Sequence, residues 1–335
     1  MSGRGLRIAL AGASGSLGSE VANLLGERRV PVAELSAFAT ERSLGRDIEL
    51  GDEVVAVEDE MPRLAGHDLI VLCTPREVAL ELGREALRAS VPCIDCSGAF
   101  ADQQEIPLGL CELGASPEVL ASPIVAVPPG PVLGWLYVLH ALHEVAALER
   151  VSATVLRSAA QAGGGGVDAL SAQTIATLTH QDLPTDGSEL FGDSMAFDCI
   201  PLLPGGDVAA EEARWSAIVA RRFPSAASRI AISALQVPSF AGDGTVLAVE
   251  LDREVDPGVV REALSEAPGV AVWEDEATGP TTRQATGCEH VWVSRVRRDP
   301  GAPARRGLLM WLACDPLRLA ASDAVGLAEA RLRLN

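Results

Sequence analysis

The 335-residue chain has no lysine; all 27 of its basic side chains are arginine. That absence excludes a lysine Schiff base, a phosphate-loop lysine and a lysine general base. Codon bias in a GC-rich gene accounts for it. Positive charge is scarce altogether: 46 acidic residues against 27 basic ones leave a formal charge of −19. So negative a surface repels phosphate backbones and anionic lipid, which argues against nucleic acid or a membrane surface as partner. Long hydrophobic runs are missing too. No stretch approaches the ~18 consecutive apolar residues of a membrane span, and the apolar run 8–11 is too short for a signal peptide. The seven cysteines lack a metal-binding arrangement. Cys93 and Cys96 are closely spaced, but no second such pair and no histidine lies near them, so no metal site is expected. These absences predict a cytoplasmic protein with free thiols.

What is present has globular composition, 48% hydrophobic and 22% charged, and length for two domains. Residues 6–11 (LRIALA) read as a buried strand. Residues 16–27 read as a helix with Leu17, Val21, Leu24 and Leu25 on one side. Further strands fit 32–39, 68–73 and 91–95, with a helix over 76–89. Alternation at this spacing gives βαβ units and a parallel sheet. The proline- and glycine-rich stretch 122–134 predicts a domain junction, followed by a helix over 133–147. Beyond it, 151–156, 229–235, 245–251 and 307–314 read as strands of a second sheet. Helices are expected over 167–178 and 211–223, and a final amphipathic helix over 315–334.

Gly12, Gly15 and Gly18 form a GxxGxxG turn between the first strand and the first helix, completed by Ser14, Ser16 and Leu17. A helix N-terminus offers unpaired N–H groups and partial positive charge to a pyrophosphate, and glycine lets the backbone approach it. The turn is therefore a candidate dinucleotide site; the alternative is an ordinary tight turn. The second strand ends in Thr40-Glu41-Arg42-Ser43. A carboxylate there serves the ribose of NAD. The hydroxyls of Thr40 and Ser43 and the guanidinium of Arg42 suit a 2′-phosphate, so NADP is expected ahead of NAD. Glu41 favours the opposite choice, and a solvated polar turn is the alternative.

In order and spacing, the motifs resemble the aspartate-semialdehyde dehydrogenase family nearly end to end. GASGSLG with ATERSLGR is similar to that family's GATGxVG and ASxRSxGK. IDCSGAF (94–100) is similar to its IDNSSAF, and Ile106-Pro107-Leu108 with Glu112 to its VPLxxPE. IVAVPPGPV (124–132) sits where the family has IIANPNCST. VSRVR (293–297) is similar to VGRIR, and DPLRLAA (315–321) to DNLRKGAA. The resemblance implies an α/β fold: a Rossmann-type, doubly wound parallel-sheet domain over 1–131 with the C-terminal helix 315–335, plus an α+β mixed-sheet domain for catalysis and dimerisation over 132–314. It also implies a homodimer and a reaction of amino-acid biosynthesis. In that reaction a cysteine thiolate attacks an acyl phosphate and NADPH reduces the thioester. A histidine acts as acid and base, a glutamine orients groups, and arginines hold substrate carboxylate and phosphate.

Residue by residue, the chain departs from that set. The thiol position falls on Gly130, the glutamine on Arg157, the histidine on Asp243, the carboxylate-binding arginine on Gln236 and the phosphate-binding arginine on Ala101. The family's EExK element survives as Glu211-Glu212-Ala213-Arg214, leaving Glu211 and Arg214 with Gln236 as substrate-pocket positions. Glycine offers no nucleophile. Loss of one member of a catalytic unit costs orders of magnitude. Arg157 either binds an anion or forms a structural ion pair with Asp243. Cys96, Cys73 and Cys199 read as inert packing, with Cys96 the one conceivable substitute thiol. The five histidines read as structural, and the five tryptophans as unclustered core or interface residues. Residues 163–166 match the family's glycine loop or are a plain turn. The expectation is a diverged homologue in which NADP binding is kept, weakened or lost. A working dehydrogenase using non-standard residues and a non-catalytic dimeric interaction protein are the alternatives.

Overall fold

The computed structural model describes residues 5–40, 47–58, 64–184, 188–191, 194–201, 203–204, 207–275 and 278–334. The chain divides into two compact units, Met1–Leu133 with Leu317–Asn335, and Gly134–Pro316.

The first unit is built on a seven-stranded sheet. In chain order its elements are β1 (Leu6–Ala11), α1 (Ser16–Glu27), β2 (Val32–Phe38), β3 (Asp47–Leu50), β4 (Glu53–Glu58), β5 (Leu69–Leu72), α2 (Arg76–Ala89), β6 (Cys93–Asp95), α3 (Pro117–Ala121) and β7 (Ile124–Ala126). The sheet order is β3-β4-β2-β1-β5-β6-β7, parallel except where β3 pairs with β4. β5 is LIVL and buried throughout, as a strand covered on both faces must be. α1 turns Val21, Ala22, Leu24 and Leu25 inward, a stripe at helical spacing. α2 does the same with Ala79, Leu82, Gly83 and Ala86, and ends on Ser90 in the left-handed region. The β3–β4 hairpin was not foreseen, although its Gly51-Asp52 turn, with Gly51 at φ +62°, is a hairpin signal.

The second unit carries a six-stranded mixed sheet. α4 (Gly130–Val145) leads into β8 (Leu148–Arg157), α5 (Gly163–Leu178), α6 (Ser188–Phe191), α7 (Val208–Arg222), β9 (Ile230–Gln236), β10 (Asp243–Leu251), α8 (Pro257–Glu266), β11 (Val270–Val272), α9 (Thr282–Ala285), β12 (Val291–Arg298) and β13 (Gly307–Cys314). The order is β11-β12-β13-β10-β8-β9, with β8–β9 and β11–β12 parallel and the rest antiparallel. Burial alternates along β8 and β13, so one face packs inward and the other does not. The glycine run 163–166, expected as a loop, forms the first turn of α5. α10 (Pro316–Leu334) closes the chain; its Arg318 pairs with Glu20 and Glu27 of α1 at 2.8 and 2.5 Å.

Candidate functional site

In the first unit the chain runs outward from β1 to β2 and later resumes on the other side of β1 with β5. That reversal is a topological switch point, and the crevice beyond the strands' C-terminal ends is where such sheets hold ligands. Gly12 occupies it with φ +80°, and a Cβ there would stand 2.3 Å from the Cys73 carbonyl oxygen. A Cβ on Gly18 would stand 2.2 Å from the Gly12 carbonyl, so these two positions accept only glycine. Gly15 is different: its φ is −76° and the nearest atom to a Cβ is 3.3 Å away. Gly15 and Ser16 are exposed, Ser14 and Leu17 half-buried. α1 has neither a side-chain cap nor an acidic residue in its first turn, leaving its partial positive charge unopposed there. Thr74, just past β5, buries a hydroxyl with no hydrogen-bond partner, a feature no sequence signal announced. This cradle fits a pyrophosphate. Thr40 is exposed just past β2; Arg42 and Ser43 lie outside the described residues.

Gly130 opens α4. The N–H of Leu133 donates to the Pro129 carbonyl at 3.0 Å, and Pro131 has no N–H, so the first turn has one donor fewer than usual. The 96–102 loop lies against it, with Pro129 Cγ 2.9 Å from where a Gly98 Cβ would be. Arg76 fastens that loop by donating to the Gly98 carbonyl at 2.8 Å and pairing with Asp102 at 3.2 Å. Ala101 is buried and offers no charge.

In the second unit Arg157, Gln236 and Asp243 come together at the end of the sheet. Gln236 of β9 stands opposite Arg157 of β8. Asp243 of β10 stands opposite Cys314 of β13. Arg157 Nε lies 2.7 Å from Asp243 Oδ2, with the carboxylate fully buried and the arginine nearly so. Oδ1 of Asp243 accepts from the Ser158 N–H at 2.9 Å and from its hydroxyl at 3.1 Å. Burial raises the Asp243 carboxyl above its usual range, with Arg157 and Ser158 opposing only in part. Arg157 also donates to Gln161 Oε1 at 2.6 Å and lies 5.2 Å from the Trp215 ring centre. Gln236 donates to the Arg157 carbonyl at 2.9 Å, while its Oε1 is buried without a partner. Burial, then the Asp243 charge, raises the Cys314 thiol well above its usual range, so this sulfur stays protonated and a poor nucleophile. Glu211 and Arg214 form an ion pair on α7. Neighbouring Glu212 accepts from the Ala234 N–H at 2.7 Å.

The tryptophans, expected to be unclustered, form two edge-to-face pairs. Trp135 meets Trp215 at 6.0 Å and Trp273 meets Trp292 at 5.1 Å. Long-range pairing brings them together, which local sequence does not display. Among the described residues no cluster of three or more acidic, cysteine or histidine side chains could hold a metal.

A glycine turn at the switch point of a doubly wound sheet, followed in the chain by a mixed-sheet unit, defines a dinucleotide-binding α/β class. The family model "semialdehyde dehydrogenase, NAD binding domain" matches residues 7–121, and "semialdehyde dehydrogenase, dimerisation domain" matches 139–319. Aspartate-semialdehyde dehydrogenase 2 of Vibrio cholerae is 28% identical over 336 residues, covering 97% of each chain. The crystal structure of aspartate semialdehyde dehydrogenase II from Vibrio cholerae superposes with TM-score 0.89 at 28% identity, covering 98% of this chain and 99% of that one. A further structure of the Vibrio cholerae protein is complexed with ASA, with TM-score 0.88, 28% identity and 98% of both chains covered. The chain belongs to the aspartate-semialdehyde dehydrogenase family.

Proposed function

We propose that this protein is a catalytically diverged, dimeric homologue that binds NADP but does not reduce an acyl phosphate through a thioester. The Arg157–Asp243 ion pair carries the reading. At the two positions that match the family's glutamine and histidine, the side chains neutralise each other rather than face a substrate. Asp243 is buried and spends Oδ1 on Ser158, so it has no route for handing protons to a reacting group. Gly130 supplies no nucleophile. Gln236 and Ala101 supply no cation for a carboxylate or phosphate. The test is phosphate- or arsenate-dependent NADP reduction with aspartate semialdehyde. No turnover above background is expected, and turnover would overturn the proposal. Restoring the thiol alone by Gly130→Cys is expected to leave the rate at background, because the acid–base group and both anion-binding arginines are missing as well.

Gly12, Ser14, Gly15, Ser16, Leu17 and Gly18 would hold the pyrophosphate, and Thr40, Arg42 and Ser43 the 2′-phosphate. A bound NADPH supplies a hydride; the chain's own contribution is to bind and orient it. NADP at 100 times its Kd is expected to stabilise the protein by about 2.7 kcal/mol. The absence of any thermal shift would leave the interaction-protein reading. A second copy of the chain is the proposed partner. Its support is the six-stranded sheet's outer face, where Val246 is 44% exposed in mid-sheet between Thr154 and Trp311. The free state of all seven cysteines supports a cytoplasmic setting.

A further inference from the structure

Cys73 follows β5 and Cys96 follows β6. The two strands are parallel neighbours with Leu72 opposite Asp95, so the cysteines stand opposite each other one step beyond the ladder. The Cys96 N–H donates to the Leu72 carbonyl at 2.9 Å, which carries the strand pairing up to the two thiols. Neighbouring strands run about 4.7–4.9 Å apart. That separation falls within the roughly 4.4–6.8 Å between Cα atoms that a disulfide bridges without backbone movement. Cys73 is half-buried and Cys96 buried, giving one sulfur an approach from solvent and the other a sheltered place behind it. Cys93, three residues earlier, has Ile70 and Ile124 as its ladder neighbours.

We propose that Cys73 and Cys96 are a site of reversible oxidation that closes to an intramolecular disulfide. With hydrogen peroxide, the Cys73 sulfur takes one oxygen to give a sulfenic acid and one water. The Cys96 sulfur then attacks that sulfur and expels the second water. Two thiols are oxidised to one disulfide and one peroxide is reduced to two waters. A low-molecular-weight disulfide reaches the same product by two exchange steps, releasing two thiols. A dithiol reverses it. The adjoining Cys73 thiol, then burial, push the Cys96 thiol well above its usual range, so it acts only once its neighbour is oxidised. The Cys73 carbonyl is the group on which Gly12 packs, so the new bond stiffens the strand tip beneath the glycine turn. The site does not depend on nucleotide being bound.

The experiment treats the reduced full-length protein with a slight excess of hydrogen peroxide or oxidised glutathione, blocks remaining thiols, and cleaves at arginine. The expected product joins peptide 64–76 to peptide 89–150 and disappears on treatment with dithiothreitol. Fragmentation assigns the bond to Cys96 rather than Cys93 or Cys111. Cys96→Ser removes the cross-link and leaves Cys73 trapped as sulfenic acid or a mixed disulfide, whereas Cys93→Ser and Cys111→Ser keep it. The proposal is overturned if wild-type protein loses thiols at Cys199 or Cys288 while Cys73 and Cys96 stay reduced. It is equally overturned if Cys73 is capped or over-oxidised with no cross-link. Mapping on wild-type protein decides the matter even if a variant fails to fold.

Discussion

Arg157 and Asp243 are each costly alone and tolerable together. A buried guanidinium or carboxylate left without its partner costs about 3–5 kcal/mol, and replacing both at once costs far less. Arg157→Gln and Asp243→His, the residue types the family resemblance places there, are each expected to lower the urea midpoint sharply. The double variant should recover most of that loss. Equal and additive losses would mean that the 2.7 Å contact is energetically idle. The glycine turn separates two roles in the same way. Gly18→Ala forces a Cβ to within 2.2 Å of the Gly12 carbonyl and should destabilise the fold by roughly 1–3 kcal/mol. Gly15→Val meets its nearest atom, the Gly12 carbonyl oxygen, at 3.3 Å, a tight contact but far milder than that at Gly18; it should lower the unfolding midpoint of the nucleotide-free protein less than Gly18→Ala does while removing the thermal shift with NADP. A Gly15→Val protein that still responds to NADP would move the cofactor elsewhere. At this scale the sequence was legible in the pairing it raised between Arg157 and Asp243, which the structure brings to 2.7 Å. Thr74 and Cys314 were not legible, because their places on the switch point and opposite Asp243 come from strands far apart in the chain.

β12 begins beside His290, whose ring meets Trp292 edge-on at 4.6 Å. Burial lowers the His290 pKa, with Glu289 opposing. The folded protein therefore resists a proton that the unfolded chain accepts near pH 6.5. Stability attributable to this residue is present above that pH and falls as the pH drops through it, because the unfolded state then binds more protons. His290→Asn should flatten the pH dependence of stability between pH 7 and 5 relative to wild type; an unchanged slope would assign the effect to other groups. Elements with strong local signatures were readable. α2 (Arg76–Ala89) and β13 (Gly307–Cys314) fall where periodicity put them. Short strands such as β7 and β11, three residues each, carry too few side chains for a period to register. The glycine run of α5 misled because glycine disfavours a helix interior, yet a Cβ on Gly166 would stand 2.4 Å from the Ala159 carbonyl. Tertiary contact there outweighs the roughly 1 kcal/mol propensity cost.

For the whole molecule, the governing facts are a formal charge of −19 and an outer sheet face that carries little of it. Among the described residues no helix is long and apolar enough to cross a membrane. Ser152, Thr154, Val246, Ala248, Leu309 and Trp311 lie side by side across β8, β10 and β13, and all are at least partly accessible. Two copies meeting face to face through this surface would bury small and apolar groups while their remaining acidic surfaces repel. Salt screens that repulsion over about 10 Å at 0.1 M ionic strength. Association should therefore tighten as salt rises from low ionic strength, opposite to an interface held by ion pairs. Light scattering across a concentration series should give the mass of two chains at moderate salt, with dissociation favoured on dilution into low salt. Val246→Arg places an unpaired charge in mid-face and should yield the single-chain mass with an unchanged far-UV spectrum. A wild-type protein that stays monomeric at high concentration and salt, or a Val246→Arg protein that remains a dimer, would remove this face as the contact.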